Sequence, residues 1–346
     1  MNRIISSIYH PYTRGANHDL NHYLPDDRTI YFAYGRQALE AALLGLGLKV
    51  KEEILVPEFI CTEVLDPFQK HHLKPVYYKV SEDLVPDYAQ INELISDTCK
   101  TLLIVNYFGF PQSWGPIRAI QNRHGVVVIE DNAHGFLSND PEKPLGLRGD
   151  LGIFSLRKTV SLPSGGALTI SNPKFSHLFK ECQLSMEGFF LFDKQTIKYF
   201  LKEMSRPFMG IAHPTIRNFL LRRYRNLQNE TDDNLLESPA RFSLFAKKRL
   251  MNNDFQKEVA RRRRLFEFFE ARFRCNNDCK PIFSNLPEKV CPYGYPFYYR
   301  GSNMNSFIDS LLNEGIPALL WPELPTEVKN RGVEYYNKLV LIPFLW

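Results

Sequence analysis

The sequence predicts an α/β protein of the kind built on a mostly parallel sheet sandwiched by helices, with a smaller C-terminal α/β domain. Three observations predict it. Short β-rich runs end at Pro57, Val80, Asn106, Asp131, Ser155 and Ile170. Helical patterns lie between several of them, over residues 36–48, 61–71, 88–95 and 114–123. Strands separated by helical crossovers pair in parallel and are covered on both faces. Finally, residues 242–274 read as one long helix, followed by a strand-like Tyr295-Pro296-Phe297-Tyr298-Tyr299, a helix over 304–313 and a last apolar run over 339–344. The expected division is a large domain over residues 1–236 and a small one over 237–346, with 174–236 an atypical helical segment of the first.

Within that atypical segment, Phe189-Phe190-Leu191-Phe192 and Arg222-Arg223-Tyr224-Arg225 interleave aromatic and basic residues. Amphipathic helices packed on the body or on a dimer partner explain the pattern first. Contact with a membrane surface or a lipid-linked substrate is the alternative. Glu230-Thr231-Asp232-Asp233-Asn234 reads as a polar break.

A chain of 346 residues is long enough for a substantial buried core. The formal charge of +5 is modest and spread along the chain, which favours anionic small molecules over nucleic acid. Cys275 and Cys279 have the spacing of half a zinc site, but no second Cys/His cluster follows, so no metal is expected. The scattered cysteines read as reduced thiols, and the lack of a secretory start leads to an expectation of a cytoplasmic protein.

The chemistry is concentrated in three ordered segments: Tyr34-Gly35-Arg36-Gln37-Ala38-Leu39, Val128-Ile129-Glu130-Asp131-Asn132-Ala133-His134, and Phe154-Ser155-Leu156-Arg157-Lys158 running on to Gly165-Gly166-Ala167. They offer a helix start that holds a phosphate, a carboxylate at a strand end, and a lysine shortly before a glycine pair. Pyridoxal 5'-phosphate (PLP) needs that set: a site for its anionic tail, a carboxylate for its ring nitrogen, and an amine for its aldehyde. Polar residues at the C-terminal ends of strands line the ligand crevice of such a sheet, which is where Asn106, Asp131 and Ser155 fall.

With Leu55-Val56-Pro57, Val105-Asn106-Tyr107-Phe108-Gly109 and Leu147-Arg148-Gly149-Asp150 in the same order, the chain resembles the DegT/StrS family of PLP-dependent sugar aminotransferases over residues 30–172. Arg261-Arg262-Arg263-Arg264 is a weaker echo. The resemblance implies the type I aspartate-aminotransferase fold and a homodimer with its cleft at the subunit interface. It also implies transfer of an amino group from an amino acid, glutamate or glutamine, to a keto-sugar linked to a nucleotide.

The same resemblance implies the roles of individual residues. Lys158 forms the Schiff base and carries the proton, and Asp131 pairs with the pyridinium nitrogen. His134 meets the phenolic oxygen or packs on the ring. Gly35, Arg36, Gln37 and Ser155 hold the phosphate, Arg36 standing in for a partner-subunit contact whose Gly-Asn-Tyr-Arg-like loop is not recognisable between residues 186 and 245. Phe59 covers the ring, with Cys61 the competing position. Two other readings stay open: a non-catalytic relative that has lost the cofactor, and a PLP-dependent sugar dehydratase, a branch in which histidine replaces the lysine.

Overall fold

The computed structural model describes residues 2–9, 15, 19–141, 143–180, 194–211 and 242–345. The motifs at 189–192, 222–225 and 230–234, and the expected domain boundary at 236, lie outside them.

Seven strands form the main sheet: β1 (Thr29–Phe32), β2 (Glu53–Pro57), β3 (Lys74–Tyr78), β4 (Cys99–Val105), β5 (Val127–Asp131), β6 (Leu151–Phe154) and β7 (Gly166–Ile170). Their spatial order is β1-β7-β6-β5-β4-β2-β3. All neighbouring pairs are parallel except those made by β7, which runs antiparallel to both β6 and β1. The strands read as near-continuous apolar runs because helices cover both faces, and Ile54, Leu55, Leu102, Ile104, Val128 and Ile129 are fully buried. β5 is the central strand, its last residue Asp131 opposite Val105 of β4 and Ile153 of β6. The carboxylate thus sits at the C-terminal end of the middle of the sheet, where crevices open in this architecture.

The crossover helices lie close to their expected places. Gly35–Gly45 follows β1, Tyr88–Leu94 follows β3, and Trp114–His124 follows β4, stopped by Gly125 in the left-handed region at φ 67°. The single helix expected over 61–71 is a 3₁₀ turn, Thr62–Leu65, joined to a short helix, Asp66–Lys70.

A second sheet has the order β10-β11-β9-β8, from β8 (Cys279–Pro281), β9 (Gly294–Tyr299), β10 (Leu319–Leu320) and β11 (Leu339–Pro343), all antiparallel. The helix expected to run unbroken over 242–274 is two helices, Leu244–Met251 and Phe255–Phe273. The break falls at Asn252-Asn253-Asp254, because Asp254 turns its carboxylate onto the Lys257 amide (3.0 Å) and starts a new helix. The second helix buries Phe266, Phe269 and Phe273 against Tyr295 and Phe297 of β9. Each such ring contributes about 1.5–3 kcal/mol on burial.

The first helix, Asn2–Tyr9, packs on this C-terminal unit: the Tyr9 hydroxyl donates to the Gly315 carbonyl (2.7 Å) and Arg261 donates to that of Ser7 (2.7 Å). The helix Lys194–Ile211 is held to the body by Tyr199, whose hydroxyl donates to the Ser161 carbonyl (3.1 Å), and by Glu203, which accepts from the Ser161 hydroxyl (2.9 Å). None of the helices among the described residues is long and apolar enough to cross a membrane.

Candidate active site

The site is built where β5 and β6 end. Past Asp131 the chain turns at once, the Asp131 carboxylate accepting from the Ala133 amide (2.9 Å), and this turn carries His134 inward. Past β6, a 3₁₀ turn over Leu156–Lys158 places the lysine side chain opposite. Lys158 Nζ and His134 Nε2 lie 3.3 Å apart.

The electrostatics are those of a buried site. Burial, with the Lys158 charge adding to it, holds the His134 imidazole well below the usual histidine range, so it is neutral. Its Nδ1 is buried with no hydrogen-bond partner. Burial raises the Asp131 carboxyl, and the Ala133 amide and the Lys158 charge only partly offset this. Among the described residues Asp131 forms no ion pair, which leaves a buried acid suited to a ligand carrying an N–H donor.

The His134 ring is packed between aromatic neighbours. Tyr293 lies flat against it at 4.3 Å and 2° from parallel, Phe108 is stacked at 5.6 Å, and Trp321 is tilted at 5.2 Å. Tyr293 and Trp321 come from the C-terminal unit and had no signal in the sequence, since an isolated aromatic reads as core.

The start of the helix Gly35–Gly45 is pressed against the end of β6. A Cβ on Gly35 would stand 3.0 Å from the Phe154 carbonyl oxygen and 3.4 Å from Ser155 Cβ, and one on Gly166 would lie 2.3 Å from the Tyr34 carbonyl carbon. The two glycines let the helix N-terminus reach buried Ser155.

Three of the expected roles are altered by the geometry. Gln37 is spent on its own helix, its amide oxygen accepting from the Tyr34 backbone N–H (3.1 Å), so it serves as a cap. Arg36 donates to Asp66 at 2.5 Å, with its side chain only 10 % exposed, so a carboxylate already competes for the guanidinium. Phe59 is fully buried among Tyr107, Trp321 and Tyr336, which makes it a core residue. At Cys61 burial pushes the thiol up to about 12, with the Lys158 charge pulling it down and the charges of Glu63 and Asp131 pushing it up.

Asn106 also differs from expectation. It does not line a crevice but is fully buried, donating to Glu130 (2.8 Å) and accepting from Arg148 (2.9 Å). Arg148 binds Glu130 through Nε (2.8 Å) and Nη2 (2.6 Å), reaches Asp140 (2.7 Å) and the Gln112 carbonyl (3.1 Å), and lies 4.5 Å over the Trp114 ring. This network adjoins Asp131 through Glu130, the preceding residue of the same strand. A signal for it existed: Glu130 in a buried strand requires a cation, and the Leu-Arg-Gly-Asp segment supplies one.

A mostly parallel sheet that gathers an amine, a buried carboxylate and an imidazole at its strand ends defines an α/β protein of the PLP-transferase fold. Within that class the chain belongs to the DegT/DnrJ/EryC1/StrS aminotransferase family, whose sequence profile matches residues 7–200. Solved structures agree in fold along almost the whole chain. A DegT/DnrJ/EryC1/StrS aminotransferase from Brucella abortus is 18% identical with a TM-score of 0.65, over 99% of this chain and 90% of that one. Spr1654 of Streptococcus pneumoniae, assigned as a sugar aminotransferase and solved in its PLP form, is 16% identical with a TM-score of 0.67, over 100% and 92%. A GDP-4-keto-6-deoxymannose-3-dehydratase is 15% identical with a TM-score of 0.65, over 99% and 92%. Among the described residues no group of three or more His, Cys, Asp or Glu side chains is placed to hold a metal ion.

Proposed function

We propose that this chain is a PLP-dependent aminotransferase that moves an amino group from glutamate or glutamine onto a keto-sugar, nucleotide-linked, in surface-polysaccharide or secondary-metabolite biosynthesis. The observation that carries the reading is the Lys158–His134 contact beside buried Asp131, which forms no ion pair among the described residues. The residues present fit the cofactor. Asp131 suits the ring nitrogen, the orphaned Nδ1 and the neutral ring of His134 suit a polar ring substituent, and Ser155 with the helix start at Gly35 suits the phosphate. Bound there, PLP supplies an electron sink for breaking a bond at the carbon that bears the amino group.

The chain's own residues supply the rest. Lys158 holds and returns a proton at Nζ, within reach of a neutral imidazole that does not compete for charge. Burial raises the Asp131 carboxyl, and a proton-bearing partner in the site would favour its ionised form, which couples its charge to occupancy of the site. The packed rings of Phe108, Tyr293 and Trp321 exclude water from one side.

The same reading includes a homodimer, a cytoplasmic location, and two domains meeting near residue 236, with the N-terminal helix docked on the second. Its test is direct. Protein incubated with PLP and treated with borohydride is expected to carry the reduced adduct on Lys158 by peptide mass mapping. Absence of any adduct would favour a non-catalytic relative.

A further inference from the structure

Arg262 is fully buried on the helix Phe255–Phe273, one of the largest side chains in the protein with no exposure. A guanidinium has five N–H donors in a fixed planar fork, and here each has a partner. Nε donates to Glu258 Oε1 (2.8 Å). Nη1 donates to the carbonyls of Pro292 (3.2 Å) and Tyr293 (3.0 Å). Nη2 donates to those of Lys158 (3.2 Å) and Thr159 (2.7 Å).

The carbonyls chosen are informative. Those of Lys158 and Thr159 close the 3₁₀ turn that carries the lysine and have no helical partner of their own. Those of Pro292 and Tyr293 belong to the segment that lays the Tyr293 ring on His134. His134 in turn touches Lys158 Nζ. The contacts form a closed circuit: Arg262 to the Lys158 backbone, along its side chain to His134, across the stacked rings to Tyr293, and through its carbonyl back to Arg262.

We propose that Arg262 is a positioning residue for Lys158: it clasps the lysine turn to the Tyr293 segment and so fixes where the amine stands against His134. This rests on Lys158 being the functional amine, as read above. Glu258 orients the clasp. Burial alone would raise its carboxyl, but Arg261 and Arg262 outweigh that and keep it ionised. A lysine at 262 would keep the charge beside Glu258, but its three donors on a flexible stem do not replace five in a plane.

The test uses the whole chain without cofactor. Lys158 and exposed Lys49 are acetylated under limiting reagent, and the ratio of the two labels is read by mass mapping for wild type, Arg262→Lys and Arg262→Gln, the last still leaving Glu258 paired with Arg261. The ratio corrects for reagent dose, and labelling well below the Tm of each variant keeps global unfolding from contributing. The ratio is expected to rise about threefold or more in either folded variant, as a local opening frees the lysine turn. A lowered Tm with an unchanged ratio would overturn the proposal and make Arg262 a core residue only. Wild type gives a second reading that needs no variant to fold. The amides of Lys158 and Thr159, which donate to Ser155 and Leu156 (3.0 Å each), are expected to exchange hydrogen only by global unfolding, and exchange through a local opening would count against the clasp. Borohydride mapping with PLP runs alongside: a shifted label ratio without a Lys158 adduct in wild type sinks the cofactor reading and leaves the positioning role standing.

Discussion

His134 and Tyr293 lie ring on ring, 4.3 Å apart and 2° from parallel, although 159 positions separate them in the chain. The stack ties the turn after the central strand to the C-terminal unit, and it buries an imidazole that must therefore remain neutral.

The acid stability of the apoprotein follows from that neutrality. In the unfolded chain a histidine titrates near about 6.5, while in the fold burial and the Lys158 charge hold His134 well below that. The stability it contributes is thus complete above the unfolded value and is lost as pH falls through it toward the folded one. The apoprotein Tm is expected to decline as pH is lowered from about 6.5, ahead of carboxylate titration, and His134→Asn is expected to flatten that slope. An unchanged slope in the variant would show that His134 is not the titrating group.

Asp131 has the opposite sign. Its folded carboxyl is raised, so the apoprotein loses stability as pH rises through the unfolded value of about 3.9 toward the folded one. Asp131→Asn, which keeps the bond from the Ala133 amide, is expected to raise the apoprotein Tm at neutral pH, with the difference vanishing in acid. It is also expected to cut turnover by orders of magnitude and to shrink the Tm gain on adding PLP. Thermal scans with and without cofactor check both parts, and near-wild-type turnover would reduce Asp131 to a turn cap.

The contrast between these residues and their neighbours shows how far the sequence was legible. Asp131 and Ser155 fall at strand ends, which converge on one edge of a parallel sheet, and the alternation of strands and helices predicts that much. Gly35, His134 and Lys158 were legible through the family resemblance of the segments that carry them. Gln37 and Phe59 read differently because a cap and a core ring use the same residue types as a ligand site, and only the partner atoms distinguish them. Tyr293 and Trp321, and the part played by Arg262 within its arginine run, were illegible for another reason. Their role depends on how the second unit docks, and long-range docking leaves no local period. The break at residues 252–254 was written in Asn-Asn-Asp, a helix start signal inside an otherwise helical pattern.

Lys158→Ala is expected to abolish transamination and the borohydride-stable adduct while leaving the far-ultraviolet circular dichroism unchanged, because the side chain is only partly buried and its loss opens no core cavity. It also removes one of the two influences that depress His134, so the acid loss of the apoprotein should still begin at the unfolded value but end at a higher pH and be smaller in total. Retained turnover would overturn the assignment of the amine.

The buried pair beneath the site sets a stability prediction. Arg148→Met leaves Glu130 fully buried without its guanidinium, and breaking such a pair on one side costs about 3–5 kcal/mol. Denaturant unfolding measures it. A loss below about 1 kcal/mol, the scale of an exposed pair, would mean that water reaches Glu130.

Arg36 separates two ways of building the phosphate site. Its guanidinium is held by Asp66 in the structure, yet it stands at the first turn of the helix whose N-terminus faces Ser155. If Arg36 contributes a charge-assisted contact to phosphate, Arg36→Ala weakens PLP binding by about 1.5–3 kcal/mol, and Asp66→Ala, which removes a competing carboxylate, leaves affinity unchanged or improves it. If the pair with Asp66 is instead a structural clip between the two helices, both substitutions lower Tm alike and neither changes affinity once folding is allowed for. Titration of PLP into each variant, with the mass in solution measured on the same samples, decides between the two. The proposed homodimer is expected to be found for both variants as for wild type, because neither change removes apolar surface.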